Sequence, residues 1–125
     1  MVLALWRAAE VVASVSDDAG SLRRLLDTSD DALLVAEVDG HLVGTLLAVW
    51  DGWRGNLYRL AVLAGWRRRG IARQLVAEGE RRLARKGVVR VSAKALTEHA
   101  AAVGLWLAAG YQRDGRVGRF VKSLV

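Results

Sequence analysis

The spacing of apolar and polar residues changes along the chain, and each change marks an element. Leu3 to Trp6 is apolar throughout and reads as a short first strand. Ser16 is placed to cap a helix with Asp17 and Asp18 in its first turn, where carboxylates meet the positive end of the helix dipole. Leu22, Leu25 and Leu26 recur at helical spacing, and this helix is predicted to end near Thr28. Ala32 to Val38 and Leu42 to Trp50 are predicted strands, joined by Asp39-Gly40, a two-residue hairpin signal. A turn from Asp51-Gly52 through Gly55 leads into a predicted strand from Asn56 to Val62.

A longer helix is predicted from about Arg69 or Gly70 to Lys86. Ile71, Leu75, Val76 and Leu83 form its apolar stripe, and Gly87 follows two basic residues as a C-cap. Val88 to Ala93 reads as a strand, followed by a helix that Thr97 can cap and that ends before Gly110. Tyr111 to Val117 and Arg119 to Leu124 read as a terminal pair of strands. The order β-α-β-β-β-α-β-α-β-β describes an α/β domain with a mixed sheet, in which two helices link parallel strands. No repeat, linker or proline divides the 125 residues, so one domain over 1–125 is expected.

Composition narrows the chemistry. Apolar residues make up 53%, enough for a packed core, and no apolar run reaches bilayer-spanning length. The N-terminus lacks a signal-peptide layout, so a cytoplasmic protein without a membrane partner is expected. The absence of cysteine excludes disulfides, a thiol nucleophile and cysteine metal sites, and the two histidines, His41 and His99, are too separated to argue for a metal. The net charge of +6 implies an anionic partner: nucleic acid, a phosphorylated cofactor or an acidic surface.

The stretch Leu60 to Ala72 concentrates that charge at a strand-to-helix turn. Gly70 lets a ligand approach the backbone closely, and the first helical N–H groups lack intrahelical partners. Three consecutive arginines, Arg67 to Arg69, stand beside them, and together these make a cradle for a phosphate. A solvated basic turn is the competing reading.

Two motifs carry a family resemblance. Arg67-Arg-Arg-Gly70-Ile-Ala72 fits the pattern Gln or Arg, two residues, Gly, one residue, Gly or Ala. Trp106-Leu-Ala-Ala-Gly110-Tyr111 keeps an aromatic four residues before a Gly-aromatic pair. In this order, and with this strand order, the chain resembles the GNAT superfamily of acetyl-CoA-dependent N-acetyltransferases, of the small single-domain bacterial type. The resemblance covers essentially the whole chain. It implies a mostly antiparallel mixed sheet of about seven strands, splayed between the fourth and fifth, with about three helices.

The resemblance also implies a mechanism. Backbone N–H groups from about Arg68 to Ala72 would hold the CoA pyrophosphate, with Arg67, Arg69 and Arg73 beside them. Pantetheine would add like a strand along Leu60, Ala61 and Val62, and Trp106 would flank the cofactor. The N–H of Leu60 would polarise the thioester carbonyl and stabilise the tetrahedral oxyanion. A deprotonated primary amine would attack directly, without a covalent enzyme intermediate and without a metal.

Three positions depart from the family pattern. Asn56 stands where a glutamate often acts as general base, Trp106 where a tyrosine often protonates the leaving thiolate, and His99 where an asparagine is usual. An amide has no basicity, though Asn56 can orient a water, and indole does not deliver a proton at neutral pH. General acid–base help contributes about 10²–10⁴-fold, so positioning and the oxyanion donor still support turnover. Tyr58, alternating with Asn56 and Leu60, could turn its hydroxyl into the slot; a strand aromatic with its hydroxyl in water is the competing reading.

Glu37, Asp51, Glu98 and Asp114 are the carboxylates available to an amine. Glu37 fits a surface position, and Asp114, within Arg113-Asp-Gly-Arg116, fits a turn or local ion pair. Trp50, Trp53 and Trp66 are not readily read as core; Trp50 and Trp53 flank the turn before the fourth strand, where an acceptor site, turn packing or a dimer contact would each account for them.

A non-catalytic acyl-CoA-binding module on the same fold is the alternative function. Nucleic-acid binding through Arg68, Arg69, Arg73, Arg81, Arg82 and Arg85 is a third class, but no aromatics interleave with these arginines and no binding motif is present, so no nucleic-acid partner is expected. The acceptor is a small-molecule or protein amine. The short link from Thr28 to Asp31 leaves an open acceptor side, which a second subunit could complete in a homodimer.

Overall fold

Left-handed backbone at Asp39 and Gly40 (φ 52° and 78°) makes the turn that the Asp-Gly pair encodes, and it closes a hairpin with Val38 opposite His41. The flanking strands are β1 (Leu33–Val38) and β2 (His41–Trp50). Strand β3 (Gly55–Val62) returns antiparallel to β2, and β4 (Val91–Ala93) lies parallel to β3. The computed structural model describes residues 2–8, 18–95 and 100–124. Ser16, Asp17, Thr97, Glu98 and His99 lie outside the described residues.

The helices are α1 (Val2–Ala8), α2 (Ala19–Thr28), α3 (Ile71–Arg85) and α4 (Ala100–Ala108). Described residues therefore hold a four-stranded mixed sheet, ordered β1-β2-β3-β4, and four α-helices. The expected counts were about seven strands and three helices, and three predicted strands account for the difference. Leu3 to Trp6, read as a strand, lies inside helix α1. A short apolar run does not distinguish the two by periodicity, and Leu and Ala favour the helix. Residues 112–124, read as most of two strands, are exposed and outside any ladder. Apolar alternation alone does not make a strand; inter-strand hydrogen bonds do.

The chain divides into two compact units, Met1–Lys94 and Ala95–Val125. In the first, α3 covers one face of the sheet. Leu75, Val76 and Leu83 are buried there, and Gly79 brings the helix against Leu46, Leu57 and Ala48. On the other face, Leu5 and Trp6 of α1 form a cluster with Leu47 and Ala61, bordered by Leu22, Leu25 and Tyr58. Asp18, rather than Ser16, caps α2: its carboxylate accepts the Ser21 N–H at 2.7 Å.

In the second unit, Gly110 N–H donates to Leu107 O (3.1 Å) and Tyr111 N–H to Trp106 O (3.0 Å). This pair of bonds is a Schellman cap, and the Trp106 and Tyr111 rings meet edge-on at 5.0 Å as its apolar clasp. The spacing aromatic, three residues, Gly, aromatic is thus what this helix ending requires. The same cap ends α3, where Gly87 donates to Ala84 O and Val88 to Leu83 O. Because Val88 completes that cap, β4 begins only at Val91.

Candidate functional site

Two features set the C-terminal half of β3 apart, with no ladder partner on its β4 side among the described residues. Its parallel pairing with β4 covers three residue pairs, ending at Leu57 opposite Ala93, while β3 continues five residues further to Val62. Within that continuation the ladder with β2 passes from Tyr58 opposite Leu47 to Ala61 opposite Thr45. Arg59 and Leu60 thus face the single residue Leu46, a β-bulge, with Arg59 in the left-handed region (φ 54°).

The bulge corrects the expected facing of Leu60. Counting alternate positions puts Asn56, Tyr58 and Leu60 on one face. Instead Tyr58 and Ala61, three apart, share the apolar cluster beside α1, and Leu60 is outside it. Tyr58 is half-buried, and Lys94 Nζ sits 5.3 Å from its ring centre. Asn56 lies within the paired part of the sheet, opposite both Val49 and Ser92.

Past β3, a 3₁₀ turn (Ala64–Trp66) leads to the arginines, which fan apart. Arg67 turns back and donates from Nε to Val62 O at 2.9 Å, tying the turn to the strand end. Arg69 stacks over Trp66, its guanidinium carbon 4.8 Å from the ring centre. Arg68 is exposed and left-handed (φ 63°), as is Gly70 (φ 81°). Gly70 is the N-cap of α3, and the Gln74 N–H donates to its carbonyl at 3.0 Å.

No side chain caps α3, which leaves the N–H groups of Ile71, Ala72 and Arg73 as the first-turn donors of a 15-residue helix. A Cβ at Gly70 would meet nothing within 4 Å, so the space beside this cap residue is open. Two left-handed residues, Arg68 and Gly70, followed by uncapped donors at a positive dipole end make a concavity that fits a phosphate. Helix and strand are close because Gly44 has no side chain: a Cβ there would be 3.2 Å from Leu75 Cδ1 and 3.3 Å from Ile71 Cγ2.

Other candidates have structural employment. The Asp51 carboxylate accepts the Arg54 and Trp53 N–H groups at 2.7 and 2.8 Å, and these bonds hold its carboxyl below the ordinary aspartate value. The stabilisation it contributes is present above the unfolded value and lost as pH falls through the lower folded one. A carbon-detected NMR titration should place the Asp51 midpoint below that of an unpaired aspartate, with the Trp53 and Arg54 amide shifts following the same curve. An ordinary midpoint would contradict the turn.

Trp53 is exposed under Arg54 (3.8 Å), and Trp50 lies 5.7 Å from Lys86 Nζ. Asp114 accepts the Arg116 N–H and Nε, both at 3.1 Å, as a local turn. Glu37 and His41 are exposed. At the far end of α3, Arg81 and Arg82 pair with Glu78, and Lys86 with Asp31. Among the described residues no group of three or more His, Asp or Glu could hold a metal ion. No helix among them is long and apolar enough to cross a membrane.

Sequence signals for Thr45, Arg59 and the bulge were absent. A bulge in which a bulky residue takes the left-handed conformation leaves no glycine to announce it.

Comparison with known proteins points the same way. The sequence profile of the acetyltransferase (GNAT) family matches residues 3–111. An acetyltransferase of Pectobacterium atrosepticum is 31% identical over 105 residues, covering 84% of this chain and 74% of its own. One of Sodalis glossinidius is 29% identical over 124 residues, covering 99% and 87%. Among solved structures, AAC(6')-Iy in complex with the bisubstrate analogue CoA-S-monomethyl-acetylneamine aligns with a TM-score of 0.75 at 25% identity, over 97% of this chain and 91% of that one.

Proposed function

Since the chain belongs to the GNAT acetyltransferase family and is an acyltransferase, we propose that it moves an acetyl group from acetyl-CoA to a primary amine by direct attack. The observation that carries this reading is the uncapped, open N-terminus of α3 placed directly after a strand that runs on beyond its partner. The neighbour AAC(6')-Iy holds an analogue whose name joins CoA to an acetylneamine, which supports an amine acceptor and makes aminoglycosides the first class to try.

In this reading acetyl-CoA supplies an activated thioester, and the chain's own groups hold and polarise it. The backbone N–H groups from Arg68 to Ala72 bind the pyrophosphate, with Arg68 and Arg73 as the exposed side chains nearest to it. Arg67 serves the cradle indirectly, by fastening its start to Val62 O. The outer edge of β3 at Leu60, Ala61 and Val62 receives the pantetheine arm. Leu60 donates its N–H to the thioester carbonyl, where charge develops during attack. Trp106 stands at the position where the family often carries a tyrosine. Asn56 orients a water that accepts the amine proton, and Tyr58 stands next to it along the strand. Loss of the glutamate and tyrosine makes positioning the main source of rate.

The test is a thiol-release screen with acetyl-CoA against aminoglycosides, polyamines, peptide N-termini and lysine peptides, alongside calorimetry with acetyl-CoA. Saturable release with at least one primary amine is the expected result. Absence of acetyl-CoA binding would sink the proposal. Binding without release across the panel would instead fit a non-catalytic acyl-CoA module.

A further inference from the structure

Thr45 is a polar residue with no exposed surface, and it sits on β2 beside the bulge of β3. Its hydroxyl accepts the indole N–H of Trp6 at 2.8 Å and donates to the carbonyl oxygen of Arg59 at 3.1 Å. The two bonds use opposite capacities of one hydroxyl. Since Trp Nε1 can only donate, the Thr45 hydrogen is directed to the Arg59 carbonyl. Trp6 is itself buried in the α1 cluster, and its ring also lies 5.8 Å from the Arg59 guanidinium carbon. A relay therefore runs from α1, through β2, to the left-handed residue of the bulge.

The Arg59 carbonyl belongs to the same peptide unit as the Leu60 N–H. The chain has no cis peptide among the described residues, and in a trans peptide the C=O and N–H point in opposite directions. A bond that pulls the Arg59 oxygen toward β2 therefore turns the Leu60 N–H away from β2. That is the side on which β4 has stopped pairing three residues earlier, at Leu57. The neighbouring ladder agrees. Leu63 N–H bonds to Val43 O on β2, and the carbonyl of Val62 faces outward, where Arg67 takes it.

We infer that Thr45, held by Trp6, is a positioning residue for acyl transfer: it orients the Arg59–Leu60 peptide so that the Leu60 N–H is aimed into the slot. The inference rests on the acetyl-transfer reading above, and it adds a residue that never touches substrate. A left-handed Arg59 is intrinsically disfavoured, so the peptide needs an external tie to hold one orientation. A preorganised donor stabilises developing charge without reorganising during reaction, and losing one such donor costs about 10²–10³ in kcat. Loosening its orientation is expected to cost at least about tenfold.

The experiment compares Thr45→Val, which keeps the shape and removes the hydroxyl, with Thr45→Ser, which keeps the hydroxyl. With the best amine from the screen, Thr45→Val should lower kcat at least about tenfold and change KM for acetyl-CoA less than about threefold, while Thr45→Ser should retain most of the wild-type kcat. A second readout is the Leu60 amide in a nitrogen–proton NMR spectrum. In the wild type and Thr45→Ser it should move further with acetyl-CoA than with CoA, because only acetyl-CoA brings the carbonyl. In Thr45→Val that difference should vanish.

If Thr45→Val does not fold, Trp6→Phe is measured in its place. It removes one anchor of the hydroxyl, and the acetyl-specific shift of Leu60 should shrink. Wild-type kcat and wild-type Leu60 shifts in the folded Thr45→Val protein would overturn the inference and leave the acetyl-transfer reading standing. A wild-type protein that binds no acetyl-CoA overturns both.

Discussion

Gly70→Trp should abolish measurable CoA binding, a loss of about a hundredfold or more, while the protein stays folded. The backbone term is modest: a side chain at φ 81° costs roughly 1–2 kcal/mol. No clash adds to it, because nothing lies within 4 Å of where the Cβ would stand. The indole would instead fill the open space in front of the Ile71 and Ala72 N–H groups, the donors that no side chain caps. A hundredfold loss corresponds to about 2.7 kcal/mol, within the range of a single charge-assisted hydrogen bond. Gly70→Ala should separate the two effects, lowering stability by the backbone term with a much smaller loss of affinity. Calorimetry with CoA and thermal melts on the same samples provide the check. A folded Gly70→Trp protein that binds CoA like the wild type would remove α3 from the site.

Gly79→Leu should be the most destabilising single change on α3. A Cβ at Gly79 would already stand 3.0 Å from Leu46 Cδ2 and 3.2 Å from Leu57 Cδ2, and both leucines are fully buried. For Gly79→Ala, compression against those methyls opposes the roughly 1 kcal/mol that alanine gains over glycine within a helix, so the net change should be small. Leucine adds three further carbons where there is no room. Overpacking of this kind costs typically about 1–3 kcal/mol, against a total stability of about 5–15 kcal/mol. The strain is relieved by moving α3 outward, which shifts the cradle relative to β3. Urea midpoints should fall for Gly79→Leu and scarcely move for Gly79→Ala, and CoA affinity should fall with the leucine variant. An unchanged midpoint for Gly79→Leu would mean that the helix is not seated on Leu46 and Leu57.

Legibility differed between elements for physical reasons. The hairpin at Asp39-Gly40, strands β1 to β3 and helix α3 could be read within a residue or two, because each carries its own local signal: turn residues with left-handed tolerance, period-two alternation, or an apolar stripe with a glycine cap. The N-terminal segment was misread because four apolar residues satisfy both a buried strand and a short helix. The last 13 described residues were misread because their alternation describes a face and says nothing about whether a partner strand is available to pair with it.

The turn at Gly70 was legible for the same local reason. Gly70 and the arginines are contiguous, so their chemistry could be inferred from neighbours in sequence. Arg67 was less so: it belongs to the phosphate motif, yet its side chain bonds to Val62 O, and the direction of a flexible side chain is decided by the packing around it.

Local sequence was thus sufficient for the family, the central strands and the glycine turn that opens α3, since these depend on backbone preferences and hydrophobic period over a few residues. The orientation of the donor at Leu60 was not available from it. That depends on a bulge at a residue without glycine, and on Thr45 and Trp6, which stand 14 and 53 residues from Arg59. Which peptide turns its N–H toward the slot is set by a hydrogen bond that exists only once helix α1, β2 and β3 have come together.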